Sequence, residues 1–472
     1  MAESILTSPQ PSSASVTGPD AAPAGLRGVI TSSFLGNFVE WFDYASYSYF
    51  ATVLASVFFP TSDRTVALME TFAVFAISFL LRPVGALYWG SRGDRNGRKD
   101  TLAASILFMS GATFAIGLLP GYSVIGVGAP LLLLLLRMVQ GFSASGEYAG
   151  AATFLSEYTH AGKRGLVASI VPASTAIGLL GGSALYTVES SILSSQAMTS
   201  WGWRIPFLLA GPLGLIAHAI RTRLAESPAF VAMEEAESEA EAEQSVPIRD
   251  LVTTYRRPLL LSLGVSVLNA VGFYAVLTYL PTYLTETIGY NATLAGTATT
   301  ITLVAYVVFV LAAGRISDAI GRKRIMIVAA VLFIVLTVPA FLLLATKSFA
   351  LVLLAELVMA ATLAMNDGAL CSYLPENFPT HVRLSGFALS FNTANAFFGG
   401  TASLVATALI KATGTSLAPG FYLMLIAAVA LACVSRTRLD SNLEPSTAHE
   451  HDAAHGAAPA LAPGLTLAGV AQ

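Results

Sequence analysis

The chain has 472 residues, of which 55% are hydrophobic and only 11% are charged, and its formal net charge is −3. Soluble proteins carry charge on about 25% of their residues, so this composition excludes a soluble protein and indicates a membrane protein. The small net charge, without a large basic patch, argues against nucleic acid as a partner. The two cysteines lie in apolar segments and provide no disulfide framework.

Twelve apolar runs of membrane-spanning length follow one another along the chain. About 20 apolar residues suffice to cross a bilayer as a helix. The sequence therefore predicts an all-α membrane protein with twelve transmembrane helices. The predicted spans are 29–59, 66–90, 101–119, 129–158, 165–193, 203–221, 257–285, 292–314, 325–345, 349–376, 384–410 and 417–436.

Both chain ends are polar and of biased composition. Residues 1–28 are rich in Ser, Pro and Ala, and residues 437–472 are of low complexity, so we predict two disordered tails. His451 and His455 could share a helix face and bind a metal ion, but a disordered tail is the favoured interpretation. We predict neither a metal nor a cofactor.

One long polar connection divides the predicted spans into two equal sets. Residues 222–256 carry the acidic run "MEEAESEAEAEQ", and we expect this segment to be a solvated cytoplasmic linker that is helical or disordered. It would join a six-helix half at 29–221 to a second six-helix half at 257–436.

The basic residues of the short connections favour one side of the membrane. If the N-terminus is inside, 19 of the 25 Lys and Arg lie in inside connections, and only Arg64, Lys347 and Lys411 lie outside. Short loops rich in Lys and Arg stay in the cytoplasm. We therefore predict a multi-pass protein of the cell membrane with both termini cytoplasmic.

The two halves contain matching motifs. "GSRGDRNGRK" (90–99) follows the second span and "GRISDAIGRK" (314–323) follows the eighth, at an offset of 224 residues. "SEYTHAGKRG" follows the fourth span and "PENFPTHVRLSG" the tenth, with acid and arginine offset by 219 residues. Such internal repeats are typical of secondary transporters, whose binding site lies between the halves near the middle of the membrane.

The motifs resemble those of a known family. The loop between spans two and three is similar to the signature loop of the major facilitator superfamily. Within that superfamily, the motifs together resemble the metabolite–proton symporters, which carry proline and glycine betaine, 2-oxoglutarate, citrate or shikimate. The motifs that carry this resemblance are "GNFVEWFDYASYSYF", "RPVGALYWGSRGDRNGRK", "RMVQGFSASGEYAGAATFLSEYTHAGKRG", "WGWRIPF" and "LPENFPTHVRLSGFALSFN".

The resemblance implies two pseudo-symmetric six-helix bundles and proton-coupled uptake of a small polar metabolite that carries a carboxylate. Transport would proceed by alternating access, in which the site opens to one side of the membrane at a time. The expected partners are the substrate, protons and the lipid bilayer, and we expect a functional monomer.

The resemblance also implies a gate made of the motif charges. Asp94 can cap the N-terminus of a facing helix, and Arg98 can pair with Glu157. In the superfamily such links stabilise the outward-open state and break on inward opening. Loop anchoring alone would explain the basic residues but not the repeated Asp, Gly and Glu. The expected gating residues are Gly90, Asp94, Arg95, Gly97, Arg98, Lys99, Glu157, Arg164, Asp318, Gly321, Arg322, Glu376 and Arg383.

Ionisable residues interrupt the first and fourth spans. Glu40 and Asp43 share one face of the first predicted helix, and Arg137 and Glu147 lie in the fourth. Because ionisable side chains are costly inside a membrane, this face must look into the protein or a water-filled cavity. We expect Arg137 to pair with Asp43 or Glu40.

Two interpretations of these buried charges stay open. They could form a structural ion-pair network that locks the two helices together. Alternatively, Glu40, Asp43 or Glu147 carries the proton, while Arg137 counters the acid or holds a substrate carboxylate. For the group as a whole, coupling is favoured because membrane interiors rarely keep several ionisable side chains for packing alone.

Candidate substrate-binding residues occur in both halves. Aromatic faces suit an ammonium group and Arg137 suits a carboxylate, so a zwitterion such as proline or glycine betaine is favoured. A di- or tricarboxylate (2-oxoglutarate, citrate) or shikimate is the alternative. Polar residues of the second half could also simply join helices by hydrogen bonds. The candidates are Trp41, Tyr44, Tyr47, Arg137, Gln140, Asn269, Tyr274, Asp367 and Asn392.

Other functions are less consistent with the sequence. An enzyme would need a nucleophile–base or metal-ligand cluster, and the six histidines are scattered over loops, a span end and the tail. A non-transporting sensor would carry a large soluble domain. A drug–proton antiporter shares the fold but lacks these motifs. Arg82 and Arg204 are expected to anchor helix ends or to snorkel.

Overall fold

A computed structural model describes residues 24–60, 64–239 and 247–437. Within these ranges the chain is helical and contains no strand. Twelve long helices, α1 to α12, are joined by short connections. Their bounds are Ala24–Tyr49, Met69–Asn96, Arg98–Leu118, Gly128–Tyr158, Arg164–Ile192, Ser195–Thr222, Arg256–Thr287, Ala292–Ile320, Arg322–Leu344, Phe349–Glu376, Thr380–Thr413 and Ala418–Arg436.

The predicted all-α fold is confirmed. In the described part of the chain, α2 to α12 are each long and apolar enough to cross a membrane. Helix α1 has 26 residues and continues, after a turn at Phe50, as Ala51–Phe58. It is less apolar than the others because it carries Glu40 and Asp43, both of which are buried in the protein.

The segments outside the long helices differ partly from expectation. Helix α1 begins at Ala24, so the last five residues of the predicted tail 1–28 are helical. The rest of that tail, and the C-terminal tail beyond residue 437, lie outside the described residues. The connection between α6 and α7 contains two short helices, Pro228–Glu239 and Pro247–Thr253.

The helices pack in two groups of six. Helix α1 packs against α5 and α6, and α3 packs against α4 and α6. In the second group, α10 packs against α8 and α9, and α12 packs against α7 and α9. The groups meet chiefly through α2 with α11 and α5 with α8. In the sequence repeat α2 corresponds to α8, and α5 corresponds to α11. The two contact pairs are therefore equivalent, and the interface has the symmetry of the repeat.

Small residues allow close approach at these helix contacts. In α5, Gly178 and Gly182 face the backbone of α1, where a Cβ atom would collide with Phe38 and Phe42. Gly90 in α2 lies against the Ser385 backbone of α11, at the interface between the halves. Close packing of this kind drives helix association in membranes, where hydrophobic burial contributes little.

The motif glycines end two helices in the same conformation. Gly97, between α2 and α3, has φ +95°, and Gly321, between α8 and α9, has φ +96°. Residues with a side chain rarely adopt these angles, which explains the glycine in both copies of the motif. The connections α2–α3, α4–α5, α8–α9 and α10–α11 lie on one face of the molecule, here called the motif face.

A pair of glycine substitutions within α8 tests the packing of the two halves. At Gly314 a Cβ atom would come to 2.5 Å from the Gly165 carbonyl oxygen of α5, whereas at Gly296 it would meet nothing within 4 Å. We expect Gly314→Ala to destabilise the protein by about 1–3 kcal/mol through overpacking. Gly296→Ala should be neutral or stabilising, since alanine favours a helix. Thermal unfolding of the purified protein measures both, and equal midpoints would contradict the packing.

Candidate functional site

The first buried ion pair joins α1 to α2. The Arg82 guanidinium lies 2.7 Å from Glu40 Oε1 and donates a hydrogen bond of 2.6 Å to the Tyr44 hydroxyl. Its charge also lies 4.8 Å from the centre of the Phe79 ring. Arg82 and Glu40 are almost fully buried. The expectation that Arg82 anchors a helix end or snorkels is therefore wrong, because an acid and two aromatic rings satisfy it inside the bundle.

The second buried pair joins α1 to α4. Arg137 Nη1 lies 2.8 Å from Asp43 Oδ2, so Arg137 pairs with one of the two acids expected for it. The guanidinium also lies 3.7 Å from the centre of the Tyr47 ring, a cation–π contact. The Tyr47 hydroxyl donates to the Thr71 carbonyl at 2.9 Å. Asp43, Arg137 and Tyr47 thus contact one another within the first half, while Asp43 Oδ1 and Arg137 Nε and Nη2 have no hydrogen-bond partner in the described part of the chain.

The third pair joins α4 to α6. Both carboxylate oxygens of Glu147 accept hydrogen bonds from the two Nη atoms of Arg221. Arg221 also donates to the carbonyls of Leu102 at 2.9 Å and Ser32 at 3.1 Å. Gly36 of α1 packs directly on this pair, where a Cβ atom would collide with both side chains. Glu147 therefore faces α6 and α1 and does not line the central cavity.

A small cavity lies at the centre of the molecule, between the halves. It has a volume of about 10 Å³, enough for one water molecule. Helices α1, α4 and α5 contribute to its wall from the first half, and α7, α10 and α11 from the second. The lining residues are Trp41, Tyr148, Pro172, Thr175, Asn269, Phe273, Asp367, Phe391 and Asn395.

Two of the cavity helices change to π-helical geometry beside it. Helix α7 is π-helical over Tyr274–Tyr279, directly after Phe273, and α11 over Asn395–Gly399. Such local widening of a helix is frequent at functional sites.

Charged motif residues bind the two halves together at the motif face. Asp94, in α2, accepts hydrogen bonds from the backbone N–H of Leu384 at 3.0 Å and Ser385 at 2.8 Å. These donors lie in the first turn of the helix that starts at Arg383, so Asp94 caps a facing helix, as predicted. Arg98 lies 3.0 Å from Asp94 and 3.4 Å from Glu157, the expected partner.

Glu157 is the centre of this cluster. Its carboxylate lies 2.8 Å from Arg383 Nη1, an ion pair between the halves that the sequence motif did not specify. Arg98 also crosses between the halves, where it donates to the Thr380 carbonyl at 2.7 Å. Two arginines on one buried carboxylate make this the most highly charged contact at the motif face.

The second copy of the motif repeats the same geometry. Asp318, in α8, accepts hydrogen bonds from the backbone N–H of Gly165 at 2.8 Å and Leu166 at 3.0 Å, at the start of α5. Arg322 lies 3.0 Å from Asp318 and 3.4 Å from Glu376. In both copies a carboxylate on one half caps a helix of the other half.

The connection after α6 contributes to the same cluster, which the composition of the linker did not indicate. Ser227 donates to Glu157 at 2.6 Å, and the Phe230 ring lies 5.3 Å from the Arg98 guanidinium. Glu226 accepts from the backbone N–H of Lys99 at 3.0 Å. Burial raises the pKa of the Glu226 carboxyl.

The remaining predicted site residues lie in several places. Gln140 donates to Thr113 at 2.6 Å within the first half, and Asn392 donates to the Ser145 carbonyl at 2.8 Å across the halves. The Tyr274 ring packs 6.2 Å from Phe79, beside Arg82.

Two further predicted gating residues lie at the motif face. Arg164 donates to the Ser156 and Thr159 carbonyls of its own half, and Arg95 is exposed. Of the predicted substrate-binding residues, Trp41, Asn269 and Asp367 line the central cavity.

Comparisons with known proteins agree with this architecture. Residues 29–246 match the family model "Sugar (and other) transporter", and residues 263–467 match "Major Facilitator Superfamily". The chain is 38% identical over 412 residues to the glycine betaine/proline/ectoine/pipecolic acid transporter OusA of Dickeya dadantii, covering 86% of this chain and 82% of that protein. It is 37% identical over the same length to the proline/betaine transporter of Escherichia coli K12, with the same coverage. The chain belongs to the major facilitator superfamily.

Solved structures share the fold of this transporter. The proton:xylose symporter XylE superimposes with a TM-score of 0.71 at 18% identity, covering 87% of this chain and 95% of that one. The human organic anion transporter MFSD10 superimposes with a TM-score of 0.65 at 15% identity, covering 87% of this chain and all of that one. At these identities the likeness concerns the fold alone.

Sequence reasoning missed two of the three arginines that pair with Glu40, Asp43 and Glu147. Arg221 is one of the 19 basic residues that the sequence places in inside connections, yet only 1% of it is exposed. For Arg82 the sequence predicts only that it anchors a helix end or snorkels. One signal could have found both: Glu40, Asp43 and Glu147 need three cations, and only Arg137 had been assigned to them.

A double-mutant cycle on the third pair tests its contribution to stability. Arg221→Met leaves the Glu147 carboxylate buried without a cation, which we expect to cost about 3–5 kcal/mol. Adding Glu147→Leu removes that carboxylate, so the double variant should be more stable than Arg221→Met alone. The measurement is the thermal midpoint of the purified transporter, with the exposed Arg223→Met as control. Additive losses in the double variant would contradict the pairing.

Proposed function

We propose that this transporter takes up a small zwitterion, proline or glycine betaine, into the cell together with protons. The observation that carries the proposal is the 37–38% identity, over 86% of the chain, to transporters named for betaine and proline. Uptake proceeds by alternating access of the central cavity, in a monomer in the cell membrane.

The proton-coupling residues are proposed to lie on α1. Glu40 and Asp43 are buried, and each is paired with one arginine from a neighbouring helix. A proton on either acid would remove its charge and free the arginine, so the pairs α1–α2 and α1–α4 can respond to protonation. Glu147 stays a candidate, but its proton would have to displace two hydrogen bonds from Arg221.

The central cavity is the proposed substrate site. Among the described lining residues there is one carboxylate, Asp367, and no arginine, lysine or histidine. A di- or tricarboxylate would meet a like charge there, whereas a zwitterion brings a cation. Arg137 is proposed to counter Asp43, with which it is paired. The buried Trp41 indole N–H has no hydrogen-bond partner in the described part of the chain, so it is available to the substrate carboxylate.

The motif face is proposed to be the cytoplasmic gate, with both chain termini on the same side. Asp94 and Asp318 each cap a helix of the opposite half, and Glu157 meets Arg383 across the interface. These contacts close the motif face in this structure. Protonation and substrate binding from the outside would precede their opening.

Uptake into proteoliposomes tests the function directly. The substrate panel contains proline, glycine betaine, 2-oxoglutarate, citrate and shikimate, each with and without an inward proton gradient. We expect accumulation of proline or glycine betaine that requires the gradient. Accumulation of only a dicarboxylate or tricarboxylate, or uptake indifferent to the gradient, would refute the proposal.

Neutral variants of the buried acids test the coupling. We expect Glu40→Gln or Asp43→Asn to lower gradient-driven accumulation by more than about tenfold, equivalent to about 1.4 kcal/mol of coupling free energy. Exchange of labelled for unlabelled substrate should persist, because it moves no net protons. The exposed Glu286→Gln is the control. Full coupling in the variants of Glu40, Asp43 and Glu147 would eliminate this role.

A matched pair of substitutions near the α2–α3 connection tests the gate. Asp94→Asn weakens the cap on α11, since an amide offers one acceptor oxygen in place of two charged ones. We expect a single cysteine placed near the cytoplasmic end of the cavity to react several-fold faster with a thiol reagent in this variant, as the gate opens more often. Asp100→Asn, at an exposed position, should leave the rate unchanged. Equal rates in the two variants would argue against a gating role for Asp94.

A further inference from the structure

Asp367 differs from Glu40, Asp43 and Glu147 of the first half in having no cation. Its oxygens accept hydrogen bonds from Tyr306 at 2.6 Å, Asn269 at 2.7 Å and Asn366 at 3.1 Å. All three partners are neutral donors, an arrangement that suits a carboxylate. No arginine, lysine or histidine nitrogen of the described residues lies within ion-pair distance of it, although the residue is fully buried.

The donors hold Asp367 in one orientation at the cavity wall. They come from α7, α8 and α10, so the carboxylate is fixed by three helices of the second half. A buried charge that is hydrogen-bonded but lacks a counter-charge is costly. No cation among the described residues pairs with Asp367, so a cation that enters the cavity can form an ion pair with this carboxylate.

Four aromatic rings surround the same cavity, and they form two pairs across the halves. Tyr148 of α4 stacks on Phe391 of α11 with ring centres 4.4 Å apart and planes at 7°. Trp41 of α1 lies 5.0 Å from Phe273 of α7. Aromatic faces attract ammonium groups, and sets of rings of this kind bind quaternary ammonium ions.

We propose that Asp367 and these four rings form the subsite for the cationic end of the substrate, a quaternary or secondary ammonium. The inference rests on the proposed zwitterion function and assigns the two ends of the substrate. The carboxylate at Asp367 supplies the charge, and the faces of the rings supply cation–π contacts. The substrate carboxylate then points away from Asp367, towards the free indole N–H of Trp41.

This subsite also links binding to closure. Two of its rings belong to the first half and two to the second. The Tyr148–Phe391 stack and the cavity of about 10 Å³ leave no room for an ammonium in this structure, so the rings must first separate, and an ammonium that enters between them contacts both halves at once. Contacts with both halves form only when the halves are close together. The bound cation therefore favours the closed arrangement over either open one, which is the differential binding that a conformational change requires.

The test compares three ligands that differ in charge but little in shape. Glycine betaine carries both charges. In 3,3-dimethylbutyrate an uncharged tert-butyl group of the same shape replaces the trimethylammonium group, so only the carboxylate is charged. Choline carries only the cation. Binding to the purified full-length transporter is measured by calorimetry. We expect the wild type to prefer glycine betaine over 3,3-dimethylbutyrate by at least about tenfold, from the combined charge and cation–π contacts.

Substitution of the acid should remove this preference. In Asp367→Asn the ratio of the two affinities should fall close to one, chiefly through weaker betaine binding, and Asp367→Glu should keep part of it. Choline binding should be lost in Asp367→Asn as well. The control is Glu356→Gln, a buried acid of α10 that is hydrogen-bonded to Thr299 and Thr302 and does not line the cavity. It should keep the wild-type ratio.

If Asp367→Asn does not fold, substitutions of the aromatic rings test the subsite independently. Phe273→Leu and Phe391→Leu keep an apolar wall and should lower betaine affinity several-fold, with little change for 3,3-dimethylbutyrate. An unchanged ratio in the folded Asp367→Asn protein, or in both ring variants where that protein does not fold, would overturn the subsite. A wild type that binds neither glycine betaine nor proline would instead overturn the proposed function.

Discussion

A charge buried in a membrane must be compensated, and this constraint organises the first half of the transporter. Glu40, Asp43 and Glu147 each meet an arginine from another helix, namely Arg82, Arg137 and Arg221. The three pairs connect α1 to α2, α1 to α4 and α4 to α6. Loss of one partner would leave the other charge buried without a counter-charge. Each pair therefore fixes the rotation of two helices as well as their contact. The close packing of Gly36 on the Glu147–Arg221 pair follows from the same geometry.

In the second half, neutral hydrogen-bond donors stabilise two buried carboxylates. Asp367 is held by Tyr306 and Asn269, and Glu356 by Thr299 and Thr302. The sequence repeat is therefore preserved at the motif face and lost in the membrane interior. This asymmetry supports a division of labour in which the arginine-paired acids of the first half respond to protons. Of the two acids of the second half that lack a cation, Asp367 lines the central cavity and is then left for a cationic ligand.

The sequence predicted the parts of the structure that depend on local pattern. Helix number follows from apolar length, and the cap by Asp94 and the Arg98–Glu157 pair follow from a motif repeated at matching positions. Charge balance indicates that Glu40 and Glu147 need cations, but which arginine faces which acid depends on the rotation of α2 and α6, and packing decides that rotation. Ser227 was missed for a related reason. Its segment is polar and acidic, and composition indicates solvation without revealing a contact made by one residue.

The chemistry of the motif face suits the proposed gate, whose contacts would break in each transport cycle. At both copies a carboxylate accepts two backbone N–H groups, at Leu384 and Ser385 for Asp94, and at Gly165 and Leu166 for Asp318. When the face opens, water replaces these donors, so the net free energy of each charged hydrogen bond is only about 1.5–3 kcal/mol. The interior pairs around α1 and α4 have no such replacement. Opening should therefore separate the caps first and leave each half rigid, so that the two bundles move as units around the central cavity.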